Sequence, residues 1–270
     1  MTNYLFTNTD EAEAAQRMES LSALHDPMTF RALDERGIAA GWHCLEVGGG
    51  NGSVARRMAE RVGPTGSVLV TDIEPRFIEQ NVASLPDNIE IRKHDITKDT
   101  LPPEKFDLIH ARLVLLWLPD RDAALDCMID ATKPGGWIVL EEYDSFLPDE
   151  TVVTTDHRAA QLYTRARQAQ HELMKARGAD MTWGRRLHQC FSSKGLTHVG
   201  GFAITDTRRG GGSGCRLFKA NFNQIRKQAV ELGLITDQDM AEVLRYLDDP
   251  SFTVLSPLMF TVWGQRQQTA

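Results

Sequence analysis

Cys44-Leu45-Glu46-Val47-Gly48-Gly49-Gly50-Asn51-Gly52-Ser53 decides the fold of this chain. An apolar strand runs into a turn with glycine at 48, 49, 50 and 52, and a helix follows from about Ser53. Glycines gather this way where a ligand lies against bare backbone, because no Cβ blocks the approach and positive φ is allowed. The helix start turns its free N–H groups toward that ligand. This is the pattern of a nucleotide-type site. Gly50-Asn51-Gly52-Ser53-Val54-Ala55 fits the dinucleotide fingerprint G-x-G-x-x-A. Asp72 follows Gly52 by 20 residues at the end of the next strand, where a carboxylate accepts both ribose hydroxyls. The turn therefore predicts adenosine binding and leaves NAD and adenosyl cofactors both open.

Outward from the turn, strands and helices alternate. The pattern predicts strands at 43–47, 67–71, 89–93, 106–110 and 137–141, with helices over 53–62, from Pro75, and over 119–132. Such alternation implies a parallel sheet covered on both faces. Ahead of it, residues 10–24 read as an amphipathic helix capped by Thr9, and Asp26-Pro27 reads as the start of a second helix. Residues 150–178 are mostly polar and helical. Later segments predict a helix near 182–194, a strand at 197–205, a flexible loop at Gly210-Gly211-Gly212-Ser213-Gly214, helices near 217–232 and 236–247, and one strand over about 253–264.

The net charge of −7 argues against a nucleic acid partner, which needs a basic surface. The four cysteines are scattered and form no C-x-x-C pair, which predicts reduced thiols and a cytoplasmic protein. No apolar run approaches membrane-spanning length, and the N-terminus lacks the plan of a signal peptide.

Five ordered segments carry a resemblance. Glu46-x-Gly48-x-Gly50-x-Gly52, Thr71-Asp72-Ile73-Glu74-Pro75, His94-Asp95-Ile96, Phe106-Asp107-Leu108-Ile109-His110-Ala111-Arg112 and Lys133-Pro134-Gly135-Gly136 together resemble the class I S-adenosylmethionine-dependent methyltransferases over about residues 40–142. The resemblance implies an α/β fold with a doubly wound, mostly parallel seven-stranded sheet, a reversed last strand and helical lid insertions. It implies an N-terminal helical arm over 1–38, a cofactor-binding core over 39–145, and insertions plus the last two strands of the same sheet over 146–270. It implies S-adenosyl-L-methionine as cofactor. Asp72 would take the ribose hydroxyls, Ile73 would pack on the adenine, and Asp95 and the Ile96 N–H would read its edge. Glu46 would lie near the amino group of the methionine moiety, and Ala111 and Arg112 would border the site. Arg112 or Arg17 would pair with its carboxylate.

Methyl transfer from a sulfonium is an in-line displacement, so the protein aligns the partners and excludes water. A hydroxyl acceptor adds the need for a base. Candidates are His110 at the end of strand four and Tyr143 and Asp144 just past strand five, with His157 and His171 further on. No carboxylate cluster at the mouth of the sheet points to a divalent ion, so metal-independent transfer is expected. The acidic balance and the helical insertions favour a small-molecule acceptor, with no membrane partner; homo-oligomerisation is left undecided. Leu162, Tyr163, Leu173, Met174, Met181 and Trp183 are either pocket lining or core. Two rival readings share the adenosine site: a nicotinamide-dependent oxidoreductase, and a protein that retains the S-adenosylmethionine site without methylating.

Overall fold

The computed structural model describes residues 4–6, 11–80, 85–145 and 152–268. Its backbone forms two compact units. One comprises His25–Tyr143, Thr182–Ala203 and Met259–Ala270; the other comprises Met1–Leu24, Asp144–Met181 and Ile204–Leu258.

The first unit is built on β1 (His43–Val47), β2 (Ser67–Asp72), β3 (Ile89–Lys93), β4 (Phe106–Arg112), β5 (Thr132–Asp144), β6 (Thr197–Ile204) and a late strand, β9 (Leu258–Gln265). They form one sheet in the order β3-β2-β1-β4-β5-β9-β6. β1 pairs in parallel with β2 on one side and with β4 on the other. The sheet is mostly parallel with β9 reversed, as the resemblance implied. Strands covered on both faces must be apolar almost throughout. Accordingly Cys44, Leu45, Val68, Val70, Leu108, Ile109 and Ala111 are buried. Helix α2 (Ser53–Val62) adds Val54, Ala55, Met58, Ala59 and Val62 from one face to this core. Strand order reverses at β1, between β2 and β4. The carboxyl end of that strand is where open α/β sheets leave a crevice for ligands.

Three expectations for this unit change. Helix α1 (Glu11–Glu35) runs on through Pro27 instead of restarting there. The Asp26 carboxylate is not a cap, because it accepts a hydrogen bond from Arg112 Nη2 at 2.9 Å. Proline deprives only the carbonyl four residues back of its donor, and here the helix tolerates that loss. Thr9 and Asp10 lie outside the described residues. The Lys133-Pro134-Gly135-Gly136 turn is a bulge inside β5, where pairing jumps from Phe106↔Thr132 to Leu108↔Trp137 and Gly135 has φ +79°. The predicted last strand is two. β8 (Thr253–Leu255) pairs antiparallel with β7 (Thr207–Arg209), and β9 is separate. The break falls at Ser256-Pro257, since proline cannot donate to a ladder and the Ser256 hydroxyl accepts from the Asp206 N–H.

The second unit packs helices α5 (His157–Ala176), α7 (Ser213–Glu231) and α8 (Asp237–Tyr246) with the β7–β8 ribbon. The glycine run at 210–214 is no free loop. Gly210 N–H donates to Phe252 O at 2.9 Å and Gly211 N–H to Leu247 O at 2.8 Å. A Cβ on Gly210 would lie 1.9 Å from Asp249 O, so only glycine allows this approach. Tyr163, Leu173 and Met174 of α5 are buried in the core, and Leu162, also buried, borders a cavity lined by Val152, Arg158 and Arg165. Arg17 also belongs to this unit, donating to Asn221 Oδ1 at 2.8 Å and to Tyr4 Oη at 2.7 Å.

Tyr163 is fully buried with Phe218, Phe222 and Phe252 at 5.5, 6.1 and 5.7 Å between ring centroids. Its hydroxyl has no hydrogen-bond partner. Burying an unsatisfied hydroxyl costs free energy that phenylalanine avoids. Tyr163→Phe should therefore leave stability unchanged or raise it by about 1 kcal/mol. A urea midpoint lowered by this substitution would mean that the hydroxyl has a partner.

Candidate cofactor and active site

The glycine turn is pinned to the end of β2. Thr71 O accepts from Gly48 N–H at 2.7 Å and from Gly49 N–H at 3.3 Å. Gly48, Gly50 and Gly52 have φ of +77°, +53° and +82°. A Cβ on Gly48 would stand 2.3 Å from Val114 Cγ2, and one on Gly49 would stand 2.2 Å from Val70 Cγ1. The turn is thus bare backbone by necessity. Gly52 has no side chain to cap α2, and the Asn51 Oδ1 accepts from the Ser53 N–H at 3.3 Å.

Asp72 stands beside this turn. Its Oδ1 accepts from Glu74 N–H at 2.9 Å and its Oδ2 from Gly50 N–H at 3.4 Å. Burial pushes its carboxyl up, and the backbone N–H groups pull the other way. Ile73 next to it is 42% exposed, unusual for so large an apolar side chain in this protein. Asp95 is placed differently. Its Oδ1 accepts from the Thr97 N–H at 3.0 Å and hydroxyl at 2.6 Å, and its Oδ2 pairs with Lys98 Nζ at 2.7 Å. Lys98 and Thr97 hold its carboxyl down at about 2. Asp95 is therefore a turn cap in this structure, with its oxygens already partnered. Ile96 is buried beside it. His94 is buried with neither ring nitrogen hydrogen-bonded.

The next strands carry a buried polar network. His110 Nδ1 lies 2.7 Å from Glu46 Oε2 on β1, and His110 Nε2 lies 3.3 Å from Glu141 Oε2 on β5. Register explains the meeting: Glu46 pairs with His110 and Arg112 with Glu141. Alternation puts His110, Arg112, Glu141 and Tyr143 on one face. Thr29 of α1 donates to Glu141 Oε2, and Thr261 of β9 donates to Glu141 Oε1 at 2.7 Å. Arg112 donates to Thr29 Oγ1 at 2.8 Å as well as to Asp26. Burial works against charge on His110, but Glu46 and Glu141 outweigh it and raise the ring to about 9. Burial likewise opposes charge on Glu141, but His110, Arg112 and Thr29 bring it down to about 2.

The candidate bases separate clearly. His110 is 0% exposed with both nitrogens held by carboxylates, so it is an imidazolium with no lone pair to offer. Asp144 is buried and belongs to the second unit. Tyr143 is half-buried, and its hydroxyl shares a 2.7 Å hydrogen bond with His25 Nε2 of α1. His171 lies in the second unit, 3.1 Å from Arg167 Nη2, where burial first and Arg167 second push it down to about 3. Ala111 is buried in β4. Sequence reasoning missed His25, Asp26, Thr29, Glu141, Glu142 and Thr261. The usable signal was two acids closing an apolar strand, one for each face. Among the described residues no group of three or more His, Cys, Asp or Glu side chains is arranged to hold a metal ion.

A glycine turn at the switch point of this sheet, with an acid closing the neighbouring strand, defines a nucleotide-cofactor α/β protein. Residues 12–199 match the family model for the methyltransferase domain, and the chain belongs to the class I S-adenosylmethionine-dependent methyltransferases. It is similar to the ubiquinone/menaquinone biosynthesis C-methyltransferase UbiE of Pseudomonas fluorescens (strain Pf0-1), 26% identical over 163 residues, or 53% of this chain and 64% of that protein. The chain thus spans less than two thirds of that relative's length. Its fold matches phosphoethanolamine N-methyltransferase 2 of Haemonchus contortus, in complex with phosphomonomethylethanolamine and S-adenosylhomocysteine, at a TM-score of 0.54 and 15% identity, over 89% of this chain and 52% of that one. It also matches the [4+2]-cyclase SpnF at a TM-score of 0.52 and 14% identity, over 90% of this chain and 81% of that one. At these identities the solved structures share the fold alone.

Proposed function

We propose that this protein transfers the sulfonium methyl group of S-adenosylmethionine to a small-molecule acceptor by in-line displacement. The observation that carries this reading is the bare-backbone turn at Gly48–Gly52 with the Asp72 carboxylate beside it, a cradle that any Cβ at 48 or 49 would spoil. S-adenosylmethionine, when bound, supplies a methyl group already activated on sulfur, so the protein contributes alignment and exclusion of water. Asp72 would hold the ribose hydroxyls, Ile73 would cover the adenine, and the Glu46 carboxylate would meet the amino group. Asp95 contributes through the loop it caps. Tyr143, backed by His25, is the group of this unit suited to take a proton from a hydroxyl acceptor. The net charge of −7 supports a small acceptor over nucleic acid. Unpaired Cys44, Cys127, Cys190 and Cys215 suit a reducing cytoplasm, and no helix among the described residues is long and apolar enough to cross a membrane.

The test is incubation of the purified protein with S-adenosylmethionine and a panel of phenol, quinol and amine acceptors, read as S-adenosylhomocysteine formed. Turnover with one class of acceptor supports the reading. Tight NAD binding with no response to the sulfonium compound sinks it, and cofactor binding without turnover on any acceptor favours a retained, non-methylating site. Asp72→Ala should weaken cofactor binding by about 1–3 kcal/mol, since the hydroxyls lose a charged acceptor. Calorimetry on the folded variant checks this, and an unchanged dissociation constant would give Asp72 another role.

A further inference from the structure

The central member of the buried network has no use in the chemistry above. His110 on β4 lies between Glu46 on β1 and Glu141 on β5. The two carboxylates are not equivalent. Glu141 is saturated: Oε1 accepts from Thr261, and Oε2 accepts from Thr29 and faces His110. Glu46 spends Oε2 on His110, and among the described residues no hydrogen bond reaches its Oε1. Around them stand Arg112 on β4, Asp26 and Thr29 on α1, the His25–Tyr143 pair, and Thr261 on β9. Arg112 is neutralised by Asp26, 2.9 Å away. A cation on His110 is therefore shared between one carboxylate that is fully engaged and one with an oxygen to spare.

We propose that His110 is a positioning residue for the cofactor site: an imidazolium anchored by Glu141 that keeps the Glu46 carboxylate ionised and fixed, with Oε1 free for the amino group of S-adenosylmethionine. The proposal rests on the S-adenosylmethionine reading above. The physical need is plain. Burial pushes the Glu46 carboxyl up, toward the neutral acid, and His110 is the first charge opposing it, with Arg112 the second. A neutral Glu46 cannot attract an ammonium group. Removing the imidazolium should therefore cost affinity for a ligand that carries the amino group and spare one that lacks it.

The experiment compares two ligands by calorimetry at pH 7.5, S-adenosylhomocysteine and 5′-methylthioadenosine, the latter being the adenosyl thioether without amino and carboxyl groups. His110→Asn should lose about 10- to 100-fold in affinity for S-adenosylhomocysteine, the worth of one charge-assisted hydrogen bond. Its affinity for 5′-methylthioadenosine should stay within about twofold, a difference of a few tenths of a kcal/mol. Equal losses for both ligands would make His110 merely structural and overturn the proposal, as would no loss for either. Wild-type protein that binds neither ligand overturns the cofactor reading itself, a distinct result. Nitrogen-15 spectra of the histidines in the wild-type protein supply a second readout that needs no variant. Both nitrogens of His110 should remain protonated at pH 7.5, and a neutral ring would overturn the proposal.

Discussion

Glu141→Ala should destabilise the sheet unit by about 3–5 kcal/mol, the cost of breaking a buried ion pair from one side. The Glu141 carboxylate is 1% exposed and engages Thr29, Thr261 and His110 at once, with Arg112 close by. Alanine leaves His110 with one carboxylate in place of two and leaves the buried Thr261 hydroxyl seeking an acceptor, while Thr29 turns to the His25 carbonyl at 3.2 Å. Glu141→Gln separates the contributions. It retains an acceptor for Thr261 but no charge, so a loss between that of alanine and wild type is expected. The pH dependence follows from the sign of the shift. The folded carboxyl lies near 2, below its ordinary value of 4.5, so its contribution is fully present above about pH 4.5 and is lost as pH falls through 2. Wild-type protein should therefore lose its advantage over Glu141→Ala as pH falls between these values, since alanine has no proton to take up. Urea unfolding at pH 7 and at pH 3 measures both effects, and an alanine variant within about 1 kcal/mol of wild type at pH 7, the usual worth of an exposed pair, would show that the network contributes little.

The same network marks where sequence reading stops. Periodicity and glycine placement are local, and they locate β1 to β4 closely because each strand is an apolar run cut off by turn residues, whereas β5 extends through the expected turn to Thr132–Asp144. The cofactor turn was legible for the same reason. The network was not, since its members come from α1, β1, β4, β5 and β9, and only register brings Glu46, His110 and Glu141 together. Asp before Pro reads locally as a helix start, whereas Arg112 claims the Asp26 carboxylate from 86 positions away. The glycine run at 210–214 reads as a flexible loop, yet the same composition serves close backbone packing, and nothing local distinguishes the two. Asp72 and Asp95 looked alike as acids after successive strands. Thr97 and Lys98, two and three residues beyond Asp95, were the local sign that its carboxylate caps a turn.

Glu142 should make the protein less stable as pH rises from about 5 to 8, and Glu142→Gln should remove that loss. The side chain is 0% exposed and leaves β5 on the face opposite Glu141. Its Oε1 accepts from Leu115 N–H at 2.7 Å, while its Oε2 is buried without a partner. Burial pushes the carboxyl up to about 8, although the N–H groups of residues 114 to 116 and the Arg121 charge oppose it. A carboxyl raised above its ordinary value of 4.5 contributes stability that is complete below pH 4.5 and is lost as pH rises through 8. Each pH unit in that window costs up to about 1.4 kcal/mol. His110 acts in the same direction over a higher range, its contribution being complete below its ordinary 6.5 and lost through about 9. Glutamine preserves the acceptor for Leu115 and cannot ionise. The gap in urea midpoint between Glu142→Gln and wild type should therefore widen steadily from pH 5 to 8, since His110, His171, Glu46 and Asp72 titrate alike in both proteins. At pH 8 the variant should be the more stable protein. Parallel curves for the two would show that Glu142 titrates near its ordinary value, with solvent reaching its Oε2. The consequence extends to the cofactor turn, because the Leu115–Trp117 turn that Glu142 holds is preceded by Val114, the side chain packed where a Cβ on Gly48 would stand.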